Sequence, residues 1–220
     1  MNWSAAILAG GRARRLGGQD KSALTLDGIR FIDRQREALQ PLTDRIVLVG
    51  YRGAHPAPFP VEHDRWPDTG PLGGLATALL TATTDRVLVL ACDLPCVTTQ
   101  FLAFLADVDP GATAVIPICD GRWQPLCAVY ARRAADTLVA ALARGDRAVA
   151  PAVSQLRPRL IGRDEWAPFD RSGHLLANVN TPDDLARIRQ RQSSMTNAAR
   201  DGVNAADRTA GSEASQTTTR

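Results

Sequence analysis

Several residue types that mark particular protein classes are scarce in this 220-residue sequence. Its four cysteines lack the spacing of zinc ligands, so we expect reduced core or loop thiols rather than a zinc site or a disulfide framework. Apolar runs such as 87–92 are far shorter than the ~20 residues that a membrane span needs. No basic segment followed by an apolar one opens the sequence, so we expect no secretory signal and a cytoplasmic protein.

The basic residues are numerous, but nearly all of them are arginine. The formal net charge is only +3, and the arginines are scattered among acids, so the charge pattern does not favour nucleic-acid binding. Lysine is almost absent, because Lys21 is the single lysine among 26 basic residues. Because arginine supplies nearly every positive charge in this chain, we treat its one lysine as a candidate functional residue.

Hydrophobic periodicity predicts alternating strands and helices. Short continuous apolar runs predict strands at 5–8, 46–49, 58–62, 87–91, 114–118 and 126–130. Amphipathic and capping patterns predict helices at 31–39, 72–80, 101–105, 134–143 and from Thr181 to about Arg191. Continuous apolar strands separated by helices are typical of a mostly parallel sheet covered on both faces. We therefore predict a three-layer α/β fold in one domain, residues 1–192.

The composition changes after that domain. Residues 193–220 contain no Leu, Ile, Phe, Trp or Tyr and are rich in small polar residues. Such a segment buries too little apolar surface to offset its ordering entropy, so we predict a disordered polar tail.

A glycine-rich segment follows the first predicted strand, where ligands gather in open parallel sheets. Gly10 and Gly11 begin it, and Arg15 and Lys21 add positive charge. Glycines let backbone N–H groups approach an anion closely, although the spacing matches neither a Walker loop nor GxGxxG. We interpret the segment as a phosphate-binding loop, the alternative being a surface loop with turn glycines.

Two further segments carry candidate ligands. Asp93 follows an apolar strand, where a carboxylate suits Mg²⁺ beside substrate phosphates or caps the next turn. Gly70 precedes a predicted helix, whose free N–H groups favour anionic or polar ligand atoms. Asp64 or Asp68 can accept hydrogen bonds from a base or ribose, or serve as a helix-entry acid, and both interpretations stay open.

Together with Gln124-Pro125-Leu126 and Asn178-Val179-Asn180-Thr181-Pro182, these segments resemble nucleotidyltransferases with a nucleotide-diphospho-sugar-transferase type of fold. More closely, they resemble the molybdenum cofactor guanylyltransferase family, in order and spacing, over about residues 7–187. The resemblance implies GMP transfer from GTP to the terminal phosphate of molybdopterin, with release of pyrophosphate and with Mg²⁺ as cofactor. Molybdoenzyme-maturation proteins are a further class of partner that it suggests.

The resemblance also assigns roles to residues. It implies that Leu8, Ala9, Gly10 and Gly11 contact GTP, with Gly70 on the same side. It places Lys21 on the phosphates, Asp64 near the nucleoside, and Asp93 on both Mg²⁺ and the nucleotide. The candidate catalytic residues are then Lys21, Arg15 and Asp93, with Lys21 neutralising phosphate charge and Asp93 holding Mg²⁺. The acceptor side is assigned Gln124, Asn178 and Asn180.

One departure leaves the nucleobase open. Val49-Gly50-Tyr51 follows the second strand where members of the family carry an Asn close to the base. A cytidylyl- or other nucleotidyltransferase acting on a different phosphorylated acceptor is therefore an alternative. A second alternative, from another functional class, is a catalytically idle nucleotide-binding adaptor.

The chemistry of the single lysine gives a first prediction. We expect Lys21→Arg to keep nucleotide binding but lose much of its turnover, because a planar guanidinium locks into one geometry where an ammonium follows moving phosphate oxygens. Pyrophosphate release measures turnover, with Lys21→Ala as the nearly inactive reference. A near-wild-type rate for Lys21→Arg would show that charge alone explains Lys21.

Overall fold

The structure is a computed structural model that describes residues 3–10, 12–13, 19–20 and 24–190. Its strands are β1 (Trp3–Leu8), β2 (Arg12–Ala13), β3 (Gln19–Asp20), β4 (Thr25–Leu26), β5 (Ile29–Arg30), β6 (Ile46–Val49), β7 (Val61–Glu62), β8 (Arg86–Ala91), β9 (Ala114–Cys119), β10 (Arg122–Trp123), β11 (Cys127–Ala131) and β12 (Arg159–Ile161). Its helices are α1 (Phe31–Leu39), α2 (Pro71–Thr81), α3 (Thr99–Asp107), α4 (Ala135–Ala143), α5 (Val149–Ser154), α6 (Arg163–Trp166) and α7 (182–190). The predicted domain limit at 192 and the predicted tail at 193–220 lie outside the described residues.

A mixed sheet forms the centre of the described structure. Its strand order is β10-β9-β11-β8-β1-β6-β7, and β12 pairs with β9. β1 runs parallel to both of its neighbours, β6 and β8, whereas β11 is antiparallel to both β8 and β9. The prediction of a mostly parallel sheet is confirmed. β11 is as buried as the parallel strands, so its apolar run gives no sign of its opposite direction.

Helices cover both faces of this sheet. Successive residues of a strand point to opposite faces, so Ala5 and Ile7 of β1 enter one apolar cluster and Ala6 and Leu8 enter the other. The first cluster contains side chains of α1, α3 and α6, and the second contains side chains of α2, α4 and α5. The predicted three-layer α/β architecture is therefore confirmed. In the described part of the chain, no helix combines the length and the apolar character needed to cross a bilayer.

Periodicity missed the shortest elements. The hairpin β4–β5 turns through Asp27 and Gly28, whose φ values of 53° and 79° are those of a type I′ turn. Two-residue strands are too short for an alternating pattern, but the Asp-Gly pair itself was a usable signal. The α5 helix was missed as well, in a stretch that showed no clear resemblance to the family.

All four cysteines lie in the described part of the chain as thiols, and Cys92 and Cys127 are buried. Burial raises the pKa of the Cys127 thiol to about 12 and that of Cys96 to about 11. Because the thiolate is the reactive and metal-binding form, burial disfavours reaction or metal binding at these two side chains.

Two adjacent glycines at the start of α2 have opposite surroundings. A Cβ on Gly73 would lie 2.2 Å from Thr69 Oγ1 and 2.7 Å from the Trp66 carbonyl oxygen. A Cβ on Gly74 would lie 3.7 Å from both terminal methyl groups of Leu8, which is ordinary contact. The first position therefore has no room for a side chain, and the second has.

This difference predicts opposite effects of the same substitution. We expect Gly73→Ala to lower the free energy of unfolding by about 2 kcal/mol, because the added methyl group must displace a backbone carbonyl. Gly74→Ala is its matched control, and we expect no loss or a gain of up to about 1 kcal/mol from helix propensity. Urea unfolding at unchanged m-value measures both. Equal stabilities of the two variants would contradict the packing described for α2.

Candidate functional site

Three neighbouring parallel strands end at one edge of the sheet. Leu8, the last residue of β1, is in register with Val49 of β6 and with Ala91 of β8. The pairing continues past the strands, since the Ala9 N–H donates to the Val49 carbonyl at 2.9 Å and the Cys92 N–H donates to the Leu8 carbonyl at 3.2 Å. The glycine-rich segment and the Asp93 motif thus begin side by side, as the sequence predicts.

The segments that follow β1 and β6 touch through two glycines. Gly50 has a φ of +71°, and a Cβ on it would lie 3.3 Å from the Gly10 Cα and 3.8 Å from the Asp64 Cβ. A Cβ on Gly10 would in turn lie 3.4 Å from the Gly50 carbonyl oxygen. Gly50 therefore lies close to both Gly10 and the Asp64 side chain, and at Gly50 this edge of the sheet has no side chain.

Asp64 is half-buried and held by hydrogen bonds to one of its two oxygens. Its Oδ1 accepts from the Trp66 N–H at 2.9 Å and from the Thr77 hydroxyl at 3.3 Å. Thr77 is fully buried in α2, and its hydroxyl also accepts from the Arg65 N–H at 3.0 Å. Among the described residues, no hydrogen bond reaches Oδ2 of Asp64. Asp64 thus closes its own turn and keeps an oxygen for a ligand, whereas Asp68 is exposed.

Gly70 lies at the entrance to α2. It precedes the helix with a φ of 72°, and the first turn of α2 contains no acidic residue to occupy its free N–H groups. The side chain of Leu8 lies against Gly74, so the beginning of α2 sits beside the end of β1. The structure therefore brings Gly70 to the same side as Leu8, Ala9, Gly10 and Asp64.

Asp93 lies on a tightly anchored loop after β8. The buried Gln35 side chain of α1 donates through Nε2 to the Ala91 carbonyl at 2.6 Å and to the Leu94 carbonyl at 3.3 Å. The Asp93 carbonyl accepts from the Val179 N–H at 2.9 Å. Because Val179 stands between Asn178 and Asn180, this bond joins the Asp93 loop to the predicted acceptor segment.

The segment containing Asn180 is fixed by the start of α7. The Asp184 carboxylate accepts from the N–H groups of Asn180 at 2.9 Å and Thr181 at 2.8 Å, while the Thr181 hydroxyl accepts from the Asp184 N–H at 3.1 Å. Burial raises the pKa of Asp184, but these bonds and one from Arg187 outweigh it and leave the pKa below its ordinary value. The predicted helix start at Thr181 is confirmed.

Gln124 belongs to a loop that is anchored by a buried tyrosine of β11. The fully buried Tyr130 donates its hydroxyl to the Pro125 carbonyl at 2.6 Å, and burial raises its pKa. Gln124 and Asn178 line the same cleft, whose volume is about 1030 Å³ and which Arg122 and Arg163 also line. Asn180 does not line it. The structure thus brings two of the three predicted acceptor residues together.

Three predicted site residues, Gly11, Arg15 and Lys21, lie outside the described residues. Two short strands of the same glycine-rich segment are described. β2 pairs antiparallel with β3, with Arg12 opposite Asp20. Residues 12–13 and 19–20 therefore lie side by side, and the roles of Gly11, Arg15 and Lys21 stay predictions.

Sequence reasoning missed the two buried polar residues behind the site, Gln35 and Thr77. Gln35 falls on the apolar face of α1, which is otherwise formed by Phe31, Ile32, Ala38 and Leu39. Thr77 is similarly enclosed by apolar residues of α2. A polar residue at an apolar position of a helical pattern was the available signal, because such a group must find a hydrogen-bond partner.

Comparisons with known proteins identify the family of this chain. Residues 5–158 match the family model of the MobA-like NTP transferase domain. A probable molybdenum cofactor guanylyltransferase of Chloroflexus aggregans is 36% identical over 86% of this chain and 94% of its own length. The molybdenum cofactor guanylyltransferase of Vibrio campbellii is 32% identical over 85% of this chain and 95% of its own length.

Solved structures show the same architecture. Molybdopterin-guanine dinucleotide biosynthesis protein A of Archaeoglobus fulgidus is 28% identical, with a TM-score of 0.74 over 87% of this chain and 99% of the other. A 2-C-methyl-D-erythritol 4-phosphate cytidylyltransferase of Thermus thermophilus, 16% identical, shares the fold with a TM-score of 0.63 over 86% of this chain and 97% of the other. The predicted nucleotide-diphospho-sugar-transferase type of fold is confirmed. The match over most of the chain shows that this protein belongs to the MobA-like NTP transferase family.

Proposed function

We propose that this protein transfers GMP from GTP to the terminal phosphate of molybdopterin, releasing pyrophosphate and forming the guanine dinucleotide cofactor. The names of the relatives from Chloroflexus aggregans and Vibrio campbellii support this activity. The observation that carries the proposal is the hydrogen bond from the Val179 N–H to the Asp93 carbonyl, at 2.9 Å. This bond joins the predicted acceptor segment, which contains Asn178 and Asn180, to the Asp93 loop at the end of β8.

The described residues divide between the two substrates. Leu8, Ala9 and Gly10 lie with Asp64 and Gly70 on one side and are proposed to bind the nucleotide. The backbone of 8–10 offers close approach, and Asp64 Oδ2 offers an acceptor. Gln124 and Asn178, which line the cleft, and Asn180 beside it are proposed to bind molybdopterin. Asp93 follows β8, which lies between β1 and β11.

The reaction is an in-line substitution at phosphorus. An oxygen of the acceptor's terminal phosphate forms a bond to the α-phosphorus of GTP, and the bond from that phosphorus to the bridging oxygen of the β-phosphate breaks. Pyrophosphate leaves with the electron pair. The nucleophile is already an anion, so the protein's task is to position it and to neutralise charge, which we assign to Lys21, Arg15 and backbone N–H groups.

Mg²⁺ is the proposed cofactor, and the donor chemistry at Asp93 suits it. Mg²⁺ in phosphate sites typically takes one or two carboxylates, with phosphate oxygens and waters completing its shell. The described residues contain no cluster of three His, Cys, Asp or Glu side chains, so the protein would supply the Asp93 carboxylate and the substrates the rest. A bound Mg²⁺ would neutralise charge on the phosphate oxygens.

A second candidate is transfer of another nucleotide, such as CMP, and one observation favours it. Gly50 gives the site no side chain at the place where the family resemblance leads us to expect an Asn near the base. The nucleobase specificity therefore depends on other groups, among which Asp64 lies close to Gly50.

Turnover with a panel of nucleotides tests the proposed function. We expect pyrophosphate release from GTP in the presence of molybdopterin and Mg²⁺, with at least about a tenfold lower rate from CTP and ATP, and loss of the reaction when Mg²⁺ is chelated. Faster release from CTP would favour the cytidylyl alternative. Binding of GTP without turnover in any combination would indicate an idle adaptor.

The position of Asp93 gives a separate prediction. We expect Asp93→Asn to reduce kcat by about a hundredfold or more, because it removes a charge from the reacting centre while keeping the side chain's shape. Asp85→Asn is the matched control, since Asp85 is exposed and precedes β8 at the opposite edge of the sheet, and we expect it to keep full activity. Full activity of Asp93→Asn in pyrophosphate release would contradict the proposed role.

A further inference from the structure

Gln35 is a buried polar residue whose two side-chain hydrogen bonds lie on either side of Asp93. Its side chain is 0% exposed and projects from α1 toward the end of β8. The two N–H bonds of its Nε2 reach the Ala91 carbonyl at 2.6 Å and the Leu94 carbonyl at 3.3 Å. These carbonyls stand two residues before and one residue after Asp93, so one amide group holds both sides of the residue.

The orientation of this amide follows from its neighbours. Both contacts are carbonyl oxygens, which accept hydrogen bonds, so the NH₂ group and not the oxygen must face the loop. Oε1 points elsewhere into the core and has no hydrogen-bond partner among the described residues. An unpaired buried oxygen is unfavourable, and an apolar residue would suit the same packing better. We therefore attribute the role of Gln35 to its two N–H donors, which hold the carbonyls of Ala91 and Leu94.

The rest of the loop is anchored to separate elements. The Ala91 N–H donates to the Leu126 carbonyl at 2.7 Å, and the Asp93 carbonyl accepts from the Val179 N–H at 2.9 Å. These bonds fix the loop to the acceptor side of the site. Gln35 fixes it to α1, a third element separate from the Leu126 and Val179 segments. Without the Gln35 donors, the carbonyls of Ala91 and Leu94 lose their hydrogen bonds to α1.

We propose that Gln35 is a positioning residue that sets the placement of the Asp93 carboxylate for nucleotidyl transfer. This inference rests on the proposed function. A displacement of about 1 Å at a reacting centre costs on the order of a hundredfold in rate. Loss of the Gln35 donors therefore lowers kcat through Asp93 while leaving the nucleotide side, formed by β1 and the Asp64 turn, in place.

The central experiment is Gln35→Met, which keeps the length and replaces the amide by an apolar end. We expect kcat to fall by tenfold to a hundredfold while the KM for the nucleotide changes by less than about threefold. Ile32→Val is the matched control, because Ile32 is a fully buried residue of the same helix without a hydrogen bond to the loop, and its kcat should stay within about twofold of wild type. Gln35→Asn keeps the amide but withdraws it by one methylene, and it should lose kcat as well.

A double-substitution cycle distinguishes positioning from general damage. If Gln35 acts through Asp93, Gln35→Met adds little to the loss already caused by Asp93→Asn, because both remove the same interaction. Amide hydrogen exchange gives a readout independent of activity, and residues 92–94 should exchange faster in Gln35→Met while α2 is unchanged. Thermal unfolding of each variant identifies any that does not fold, in which case Gln35→Asn carries the test.

The outcomes separate this inference from the proposed function. An unchanged kcat in folded Gln35→Met or Gln35→Asn overturns the inference, as does a loss that multiplies fully with that of Asp93→Asn. A fully active Asp93→Asn overturns the proposed role of Asp93 itself, whatever Gln35 does. A fall in kcat that is absent in the Asp93→Asn background supports both.

Discussion

The parallel pairing of β1 with β6 and β8 is the constraint on which the site depends. Parallel strands end at a common edge, so Gly10, Gly50 and Asp93 leave the sheet as neighbours although they are far apart in sequence. The hydrophobic residues that bury these strands on both faces fix the register, because a slip of one residue would turn each apolar face of β1 toward the wrong layer. The geometry of the candidate site is in this sense a consequence of core packing.

Buried polar side chains fix the loops that carry the site residues more closely than the sheet alone does. Thr77 holds Asp64 from α2, Gln35 holds the Asp93 loop from α1, and Tyr130 holds the Gln124 loop from β11. Each of these side chains is fully buried and bonds to the segment that carries a site residue rather than to a ligand. Since a buried hydrogen bond is strongly directional, three such bonds limit how far the loops can move relative to the sheet.

The long elements were predictable from the sequence, and the reason is physical. Runs such as Ile46–Val49 and Phe31–Leu39 have bounds that match the structure, because their apolar periodicity is decided locally. The antiparallel direction of β11 was not predictable, since pairing partners far along the chain decide it. The candidate site divides in the same way: strand ends located Gly10 and Asp93, and the resemblance located Gln124 and Asn178. Gln35 and Thr77 needed the tertiary contacts.

The hydrogen bond from Val179 to Asp93 bears on the modularity of this protein. The family match ends at residue 158, yet Val179 and Ile188 pack with Leu26 and Phe31 in a small apolar cluster of their own. The last described segment therefore packs against the beginning of α1. Through Val179 it also donates a hydrogen bond to the Asp93 loop after β8, which lies more than eighty residues earlier in the sequence. A chain shortened to the matched region would lose β12 and the core residue Trp166, and it would expose Leu26 and Phe31 to water. The boundary of sequence similarity is thus not a boundary of cooperative structure.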